Sequence, residues 1–386
     1  MISFFKSAKK PELNKNIIFI SAGEPSGDFH AANLVREILK KKPGLKIHGM
    51  AGPLMRQQGV EAVCNSEKLA VMGVTDVLSH SHIIFDAYAT VSSFIQESMP
   101  GIVIVVDYPG LNLRIAKKAH DLGIPVFYYI SPKVWAWGSG RIEKIRRYID
   151  HMGLILPFEE SFYRKNGIPA TFVGNPLIDS IPEPSKDNRR KSLDGRTVIG
   201  LLPGSRKGEI SRHLPVMLEA AAIIKKSIPC AGFLLSMKDE AYAKKQIALC
   251  GLSEIIEVET GDVGAVFERC DVLVASSGTV TLEAAIAGIP TILIYIMSDL
   301  SFSIAKALVK VEFAGLANLI AGREVSPELL QGEANPERIS KEIISLLNDR
   351  QKLDKMKSDF LLVRKKLGRP GAAGRAADII LSILKK

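Results

Sequence analysis

Short runs of β-branched and aliphatic residues alternate with amphipathic stretches along nearly the whole chain, and few folds accommodate that alternation. In the first half, strands are expected at Ile17–Ile20, Ile102–Val106, Val126–Ile130 and Met152–Leu156, each followed by a turn and a helical stretch. The clearest helix follows Ser26-Gly27-Asp28, with Ala31, Val35, Ile38 and Leu39 on one face. Lys40, Lys41 and Lys42 suit its negative end, and Pro43-Gly44 stops it. A second series begins at Val198–Leu202 and continues through Gly232–Leu235, Val272–Ala275 and Thr291–Ile294. Between the series, Ile181–Gly195 is proline-bearing, charged and poor in apolar residues, as an interdomain linker is. At 386 residues the chain exceeds one comfortable core. The expected fold class is therefore α/β, with two Rossmann-like domains at 14–181 and 196–368 facing a cleft. A C-terminal helix at 369–386 is expected to pack back through Ile379, Ile380 and Ile383.

The formal net charge of +10 favours anionic partners: nucleic acid, anionic lipid headgroups or phosphorylated substrates. Nucleic acid is set aside, because no reader motif occurs and aromatic residues make up only 6% of the chain. Cys64, Cys230, Cys250 and Cys270 are scattered without a C-x-x-C pair, which argues for a reducing compartment. The opening MISFFKSAKKPELNK lacks the apolar core of a signal peptide. The weakly charged stretch Val272–Met297 contains Gly278, Glu283, Gly288 and Pro290, and reads as strand, turn, short helix and strand. A cytoplasmic protein is expected.

The turn Ser21-Ala22-Gly23-Glu24-Pro25-Ser26-Gly27-Asp28 follows a strand and opens a helix, so its amides and the helix dipole favour an anion. The alternative is an ordinary strand–helix turn capped by Asp28 or Ser26. Neither G-x-G-x-x-G nor G-x-x-x-x-G-K-[ST] occurs, so no nucleotide cofactor is called for. Asp107 ends an apolar strand in Asp107-Tyr108-Pro109-Gly110-Leu111-Asn112, where a carboxylate suits a general base, or a turn aspartate bonding its own backbone. Ser131-Pro132-Lys133-Val134-Trp135-Ala136-Trp137 holds both tryptophans, placed for stacking on a sugar or acyl chain, or for packing a domain edge. Arg141, Lys144, Arg146 and Arg147 form a basic stretch, either solvated or facing anionic lipid. Leu69-Ala70-Val71-Met72-Gly73-Val74 through Ile83-Ile84 is an apolar stretch, read as membrane docking or as a buried helix.

In the second series, Leu202-Pro203-Gly204-Ser205-Arg206 offers close backbone approach, a hydroxyl and a guanidinium, a combination suited to phosphate. Ser276-Ser277-Gly278-Thr279 repeats the logic at a helix N-terminus, with Glu283 one turn on, within reach of a ribose diol or serving as a cap. No D-x-D triplet occurs, His80-Ser81-His82 has no third ligand, and no G-x-S-x-G elbow is present. No metal is expected.

AGEPSGD, MGVTDVL, DYPGLN, SPKVWAW, LPFEESFY, FVGNP, LPGSRKGEI, SSGTVTLEAA and NLIAGREVSPELLQ together make the chain resemble the lipid-A-disaccharide synthases, from Ile17 to Ala377. The resemblance implies a GT-B fold and an inverting, metal-independent transfer. A diacylated glucosamine would pass from UDP to the 6-hydroxyl of diacylated glucosamine 1-phosphate. It further implies Asp107 as the catalytic carboxylate, with Gly23, Glu24, Ser26, Gly27 and Asp28 lining the cleft. Gly204, Ser205, Arg206, Ser277, Gly278 and Thr279 would hold the diphosphate, Glu283 the ribose, and Asn318 and Gln331 would lie near the donor. The sequence departs from many relatives at Gly110, where aspartate is common, and at Asn175, where histidine is common. A peripheral position on the cytoplasmic face of the inner membrane is implied, and a homodimer is left open. Two other readings stand beside this one: a related GT-B transferase with another UDP-sugar or acceptor, and a sugar-nucleotide-binding protein without turnover.

Overall fold

The computed structural model describes residues 12–67, 81–136, 139–184, 197–298, 302 and 311–385. The chain divides into two compact units. One runs to Pro176 and resumes at Arg369; the other spans Leu177–Gly368.

The first unit is built on a parallel sheet of β1 (Asn14–Ala22), β2 (Lys46–Ala51), β3 (Glu61–Asn65), β4 (Pro100–Val106), β5 (Val126–Tyr129), β6 (His151–Leu154) and β7 (Ala170–Phe172), in the order β3-β2-β1-β4-β5-β6-β7. Central β4 is buried at every position because helices cover both of its faces. Ile102, Ile104 and Val106 point to the side of the helix Pro25–Lys41, whereas Val103 and Val105 point to the side of the helices Ser81–Ser98 and Pro109–Asp121. The C-terminal helix Ala372–Lys385 lies against the helix Pro25–Lys41, burying Ala376, Ala377, Ile380 and Leu384, while Lys41 pairs with Asp378. Ile379 and Ile383 are only partly buried there.

The second unit repeats the plan with β8 (Val198–Leu202), β9 (Gly232–Ser236), β10 (Ile256–Glu259), β11 (Val272–Ser276), β12 (Thr291–Tyr295) and β13 (Glu328–Leu330), ordered β10-β9-β8-β11-β12-β13. Its sheet is also parallel throughout.

The boundary falls five residues before the expected end at 181. The short helix Leu177–Ser180 packs on the helix Thr279–Ile286. Arg364 then donates to the carbonyls of Ile181 (2.9 Å), Pro182 (3.2 Å) and Ile286 (3.0 Å), which fixes this stretch to the second unit. Most of the expected linker, residues 185–196, lies outside the described residues, as do MGVTDVL and residues 69–80 of the apolar stretch. Strands β2, β3, β7, β10 and β13 were not expected. β3 and β10 lie at sheet edges, and β3 is exposed or half-buried throughout, so an apolar run is not required there. β5 stops at Tyr129, one residue short of expectation, because Ile130 takes a left-handed backbone (φ 62°) that no strand accepts.

Asp28 corrects a local expectation. It does not cap its own helix; its carboxylate crosses to the turn after β2. It accepts the N–H groups of Gly52 (3.0 Å), Leu54 (2.9 Å) and Met55 (3.1 Å), so it caps the helix Pro53–Gln57 instead. The side chain is 2% exposed. Asp28→Ala would strand three amide donors and is expected to cost roughly 2–4 kcal/mol of stability, read from denaturant unfolding. A loss under 1 kcal/mol would show that those amides find other partners.

Candidate active site

In the first unit the strand order reverses between β1 and β4, and ligands of such sheets bind outside the carboxyl ends at that point. The two strands leave the sheet in register, with Ala22 opposite Val106. The Gly23-Glu24 and Asp107-Tyr108 turns are therefore neighbours. A Cβ on Gly23 would lie 2.4 Å from Cδ1 of Tyr108, so only glycine lets the turns touch.

Asp107 and Tyr108 both have φ of 45°, in the left-handed region. Each non-glycine residue there costs about 1–2 kcal/mol, so the surroundings must hold the turn. Several hydrogen bonds do so. The Asp107 N–H donates to Tyr129 O (3.1 Å), and the Tyr128 hydroxyl donates to Asp107 O (2.7 Å). Asn112 Nδ2 donates to the carbonyls of Val106 (2.9 Å) and Asp107 (2.7 Å), while its Oδ1 accepts from the Ser21 hydroxyl (2.6 Å). Asn112 and Ser21 are fully buried. Burial raises the Asp107 carboxyl above its ordinary range, and the negative charge of Glu24 adds to the rise; the Tyr108 amide and the positive Lys133 oppose it. A carboxylate held this way is a stronger base than an exposed one.

The next turn, Ser131-Pro132-Lys133-Val134-Trp135, follows β5 and is organised from below by Glu159. That carboxylate accepts from the Ser131 hydroxyl (2.6 Å), the Trp135 indole (3.0 Å) and the Leu156 N–H (3.0 Å). Burial pushes it up to about 7 against the pull of those donors. Trp135 is thus tied inward, its ring edge-on to Phe158 at 4.8 Å, which favours packing over free stacking; Trp137 lies outside the described residues.

The second unit reverses its order between β8 and β11. Gly204 has φ of 111°, and a Cβ there would lie 2.7 Å from Glu209 Oε2 and 3.1 Å from Ser276 Oγ, so the two strand-end turns meet at this glycine. Ser205 is exposed, and the Arg206 side chain is 79% exposed, pairing with Glu209 at 3.4 Å. Gly278 and Thr279 are exposed at the start of the helix Thr279–Ile286, with Ser277 half-buried beside them. One helical turn on, half-buried Glu283 is raised by burial and then by Asp262. Hydroxyls, amides and the exposed Arg206 guanidinium around a helix N-terminus form a surface suited to phosphate.

Other expected site residues are engaged elsewhere. Ser26 is exposed on the first helical turn, while Gly27 packs close to Ala22 at the end of β1. Asp28 is spent on three amides. Asn318 is turned inward: it is 1% exposed and all four bonding positions of its amide are filled. Its Oδ1 accepts from Val325 (2.7 Å) and Ser326 (3.0 Å), and its Nδ2 donates to Ser326 O (2.8 Å) and Glu328 Oε1 (2.7 Å). Gln331 grips the backbone of Met297 from both sides, accepting its N–H at 2.7 Å and donating to its carbonyl at 3.2 Å. Gly110 is exposed, with open space where a side chain would begin, whereas Asn175 is buried and bonds Ile155 O at 3.2 Å. Sequence reasoning missed Asn112 and Tyr128. Asn112 sits inside the quoted DYPGLN, and its signal was an asparagine among apolar neighbours on a helix whose other inward residues form core.

A model of the lipid-A-disaccharide synthetase family matches residues 18–382. A lipid-A-disaccharide synthase of Geobacter metallireducens is 42% identical over 380 residues, covering 97% of this chain and 98% of that one. Another, from Nitrosococcus oceani, is 43% identical over 379 residues and covers 96% of each. The chain belongs to the lipid-A-disaccharide synthetase family. As a member it is an enzyme, a glycosyltransferase of lipid A biosynthesis. Among solved structures, MurG of Acinetobacter baumannii superposes with a TM-score of 0.63 at 16% identity, covering 95% of this chain and 99% of MurG. The glycotransferase of kitacinnamycin gives 0.63 at 16% identity, over 95% and 98%. The fold of this family member is thus that of the GT-B transferases, two doubly wound α/β units.

The elevated Asp107 carboxyl has a consequence for stability. A folded-state value above the unfolded one favours the protonated form, so this contribution is complete below the ordinary carboxylate range and is lost as pH rises through the raised value. Asparagine cannot ionise and tolerates a left-handed backbone well. Asp107→Asn is therefore expected to raise the melting temperature relative to the parent at pH 8 more than at pH 4. An equal or reversed difference at the two pH values would mean that Asp107 is not held in a desolvated site.

Proposed function

We propose that the chain transfers 2,3-diacylglucosamine from UDP to the 6-hydroxyl of 2,3-diacylglucosamine 1-phosphate, with Asp107 as the general base. The observation that carries this reading is Asp107 at the end of β4, its half-buried carboxyl elevated and its backbone carbonyl held by Asn112 and Tyr128. In the step, the carboxylate takes the hydroxyl proton while the acceptor oxygen bonds to the donor's anomeric carbon. The bond from that carbon to the diphosphate breaks, its electron pair leaves with UDP, and the configuration inverts. Negative charge grows on the diphosphate, and Arg206, Ser205 and the amides around Ser277-Gly278-Thr279 are the groups suited to receive it. Glu283 is suited to the ribose. Gly23, Glu24 and Ser26 line the acceptor side beside Asp107. Asp28, with both oxygens engaged by amides, is a poorer candidate for the base.

Mixing the UDP-diacylglucosamine donor with the monosaccharide phosphate should release UDP and disaccharide, and the rate should survive exhaustive chelation. Asp107→Asn should retain UDP affinity and lose about 10²–10⁴ in turnover. Near-normal turnover in Asp107→Asn, with loss in Asp28→Asn, would transfer the base to Asp28. Loss on chelation, restored by magnesium or manganese, would overturn the metal-independent step.

Peripheral attachment to the cytoplasmic face of the inner membrane is part of the proposal, because both substrates are acylated. Among the described residues no helix is long and apolar enough to cross a membrane. The helix Ser81–Ser98 presents Phe85, 67% exposed, on a chain of net charge +10. Replacing Ile84 and Phe85 with serine should weaken binding to vesicles of anionic phospholipid, and salt should weaken it further. Unchanged binding by a folded double variant would remove this helix from the docking surface.

A further inference from the structure

The two phosphate-suited turns of the second unit emerge from β8 and β11, yet β8 is also joined to β12, two strands away. The link is His213, on the helix Lys207–Ser227, where it is buried beside Leu214 and Met217. The ring is fully buried. Its Nδ1 lies 2.9 Å from the carbonyl oxygen of Pro203, and its Nε2 lies 2.9 Å from the amide nitrogen of Ile296. An amide can only donate and a carbonyl can only accept, so Nδ1 carries the proton and Nε2 is bare. This is the neutral imidazole, and burial, which lowers the ring's pKa, favours it.

Each of the two backbone groups lies one residue beyond the end of its strand, β8 ending at Leu202 and β12 at Tyr295. The sheet ladder supplies no partner across that gap, because β11 runs between the two strands and neighbouring strands are about 4.8 Å apart. A planar ring with a donor on one edge and an acceptor on the other spans what the backbone does not. Gln331 extends the lacing by one strand, binding Met297 from the end of β13. Side chains thus continue the sheet for one further row, at the level where Gly204 and Ser276 meet.

We propose that His213 is a positioning residue for the donor diphosphate, fixing the Pro203–Arg206 turn against the segment that leaves β12. The inference deepens the reaction proposed above and rests on its assignment of the Gly204-Ser205-Arg206 turn to the diphosphate. His213 itself touches no phosphate. Without its two bonds the Pro203 end of the turn is held only by β8, with Arg206 still bound to Glu209 at the other end, and the amides and hydroxyl between them lose their set directions.

The test uses the full chain and three variants. Leucine fills the space and removes both bonds. Asparagine places its amide near the Nδ1 position and glutamine near the Nε2 position, so each keeps one arm. Thermal unfolding identifies the folded variants. UDP binding is read by calorimetry, and donor KM, acceptor KM and kcat by UDP release. His213→Leu is expected to weaken UDP binding and raise donor KM about tenfold, as the loss of one to two hydrogen bonds implies, with acceptor KM within twofold of the parent. His213→Asn and His213→Gln should fall between. Parental UDP affinity in folded His213→Leu overturns the inference, as does an equal rise in both KM values, which would mark a general structural role. If the leucine variant does not fold, the single-arm variants decide, and parental UDP affinity in both overturns it. Binding of UDP needs no turnover, so a parent chain that binds UDP yet releases no product would count against the proposed reaction alone.

Discussion

The hydrogen bonds of Asn112 are the constraint on which the first unit's site depends. One buried amide joins the end of β1, through Ser21, to two successive carbonyls at the end of β4. It thereby stabilises a left-handed pair, Asp107-Tyr108, that the isolated sequence would avoid. The backbone that carries the half-buried carboxylate is thereby fixed, and the cost of the left-handed pair is offset by the surrounding hydrogen bonds. A fully buried side chain thus sets where the proposed base stands.

The second unit solves the same problem with different chemistry. A parallel sheet ends in a row of backbone groups without ladder partners, and these are the groups that border the turns used for chemistry. Asn112 supplies partners in one unit; His213 and Gln331 supply them in the other. In each case the side chain is neutral and offers donor and acceptor together, as required to bridge a carbonyl and an amide, or two carbonyls and a hydroxyl. A charged group in these positions would satisfy one partner and repel another.

Much of the architecture was legible because buried parallel strands must be apolar on both faces. Ile102–Val106 and Val272–Ala275 could be read as strands from that requirement alone. Edge strands escaped notice for the complementary reason: β3 and β10 face water on one side, and three-residue β7 and β13 are too short for any pattern. The strand-end motifs were legible as turns, and Asp107 and Gly204 stand where they were expected. The division between residues that face a ligand and residues that hold the frame was not legible. Asp28 and Asn318 were read as site residues, yet Asp28 is engaged by three backbone amides of Gly52–Met55, and Asn318 by backbone groups of Val325 and Ser326 and by the Glu328 carboxylate. Such pairings depend on which loops the fold brings together, and local spacing carries no trace of them.

The route of the chain between its two units bears on how the protein is made. The first unit gives up the chain at Pro176 and takes it back only at Arg369, after the whole second unit has been threaded. The helix Ala372–Lys385 covers apolar residues of the helix Pro25–Lys41 and the near end of β4. On the ribosome, the second unit can therefore complete its core first, while the N-terminal sheet waits with one face unsealed. Arg375 finishes the closure by donating to Val173 O, on the outgoing segment, and to Arg369 O and Pro370 O, on the returning one. The returning segment thus clasps the outgoing one, and a chain lacking it would expose apolar residues of the helix Pro25–Lys41 and the near end of β4.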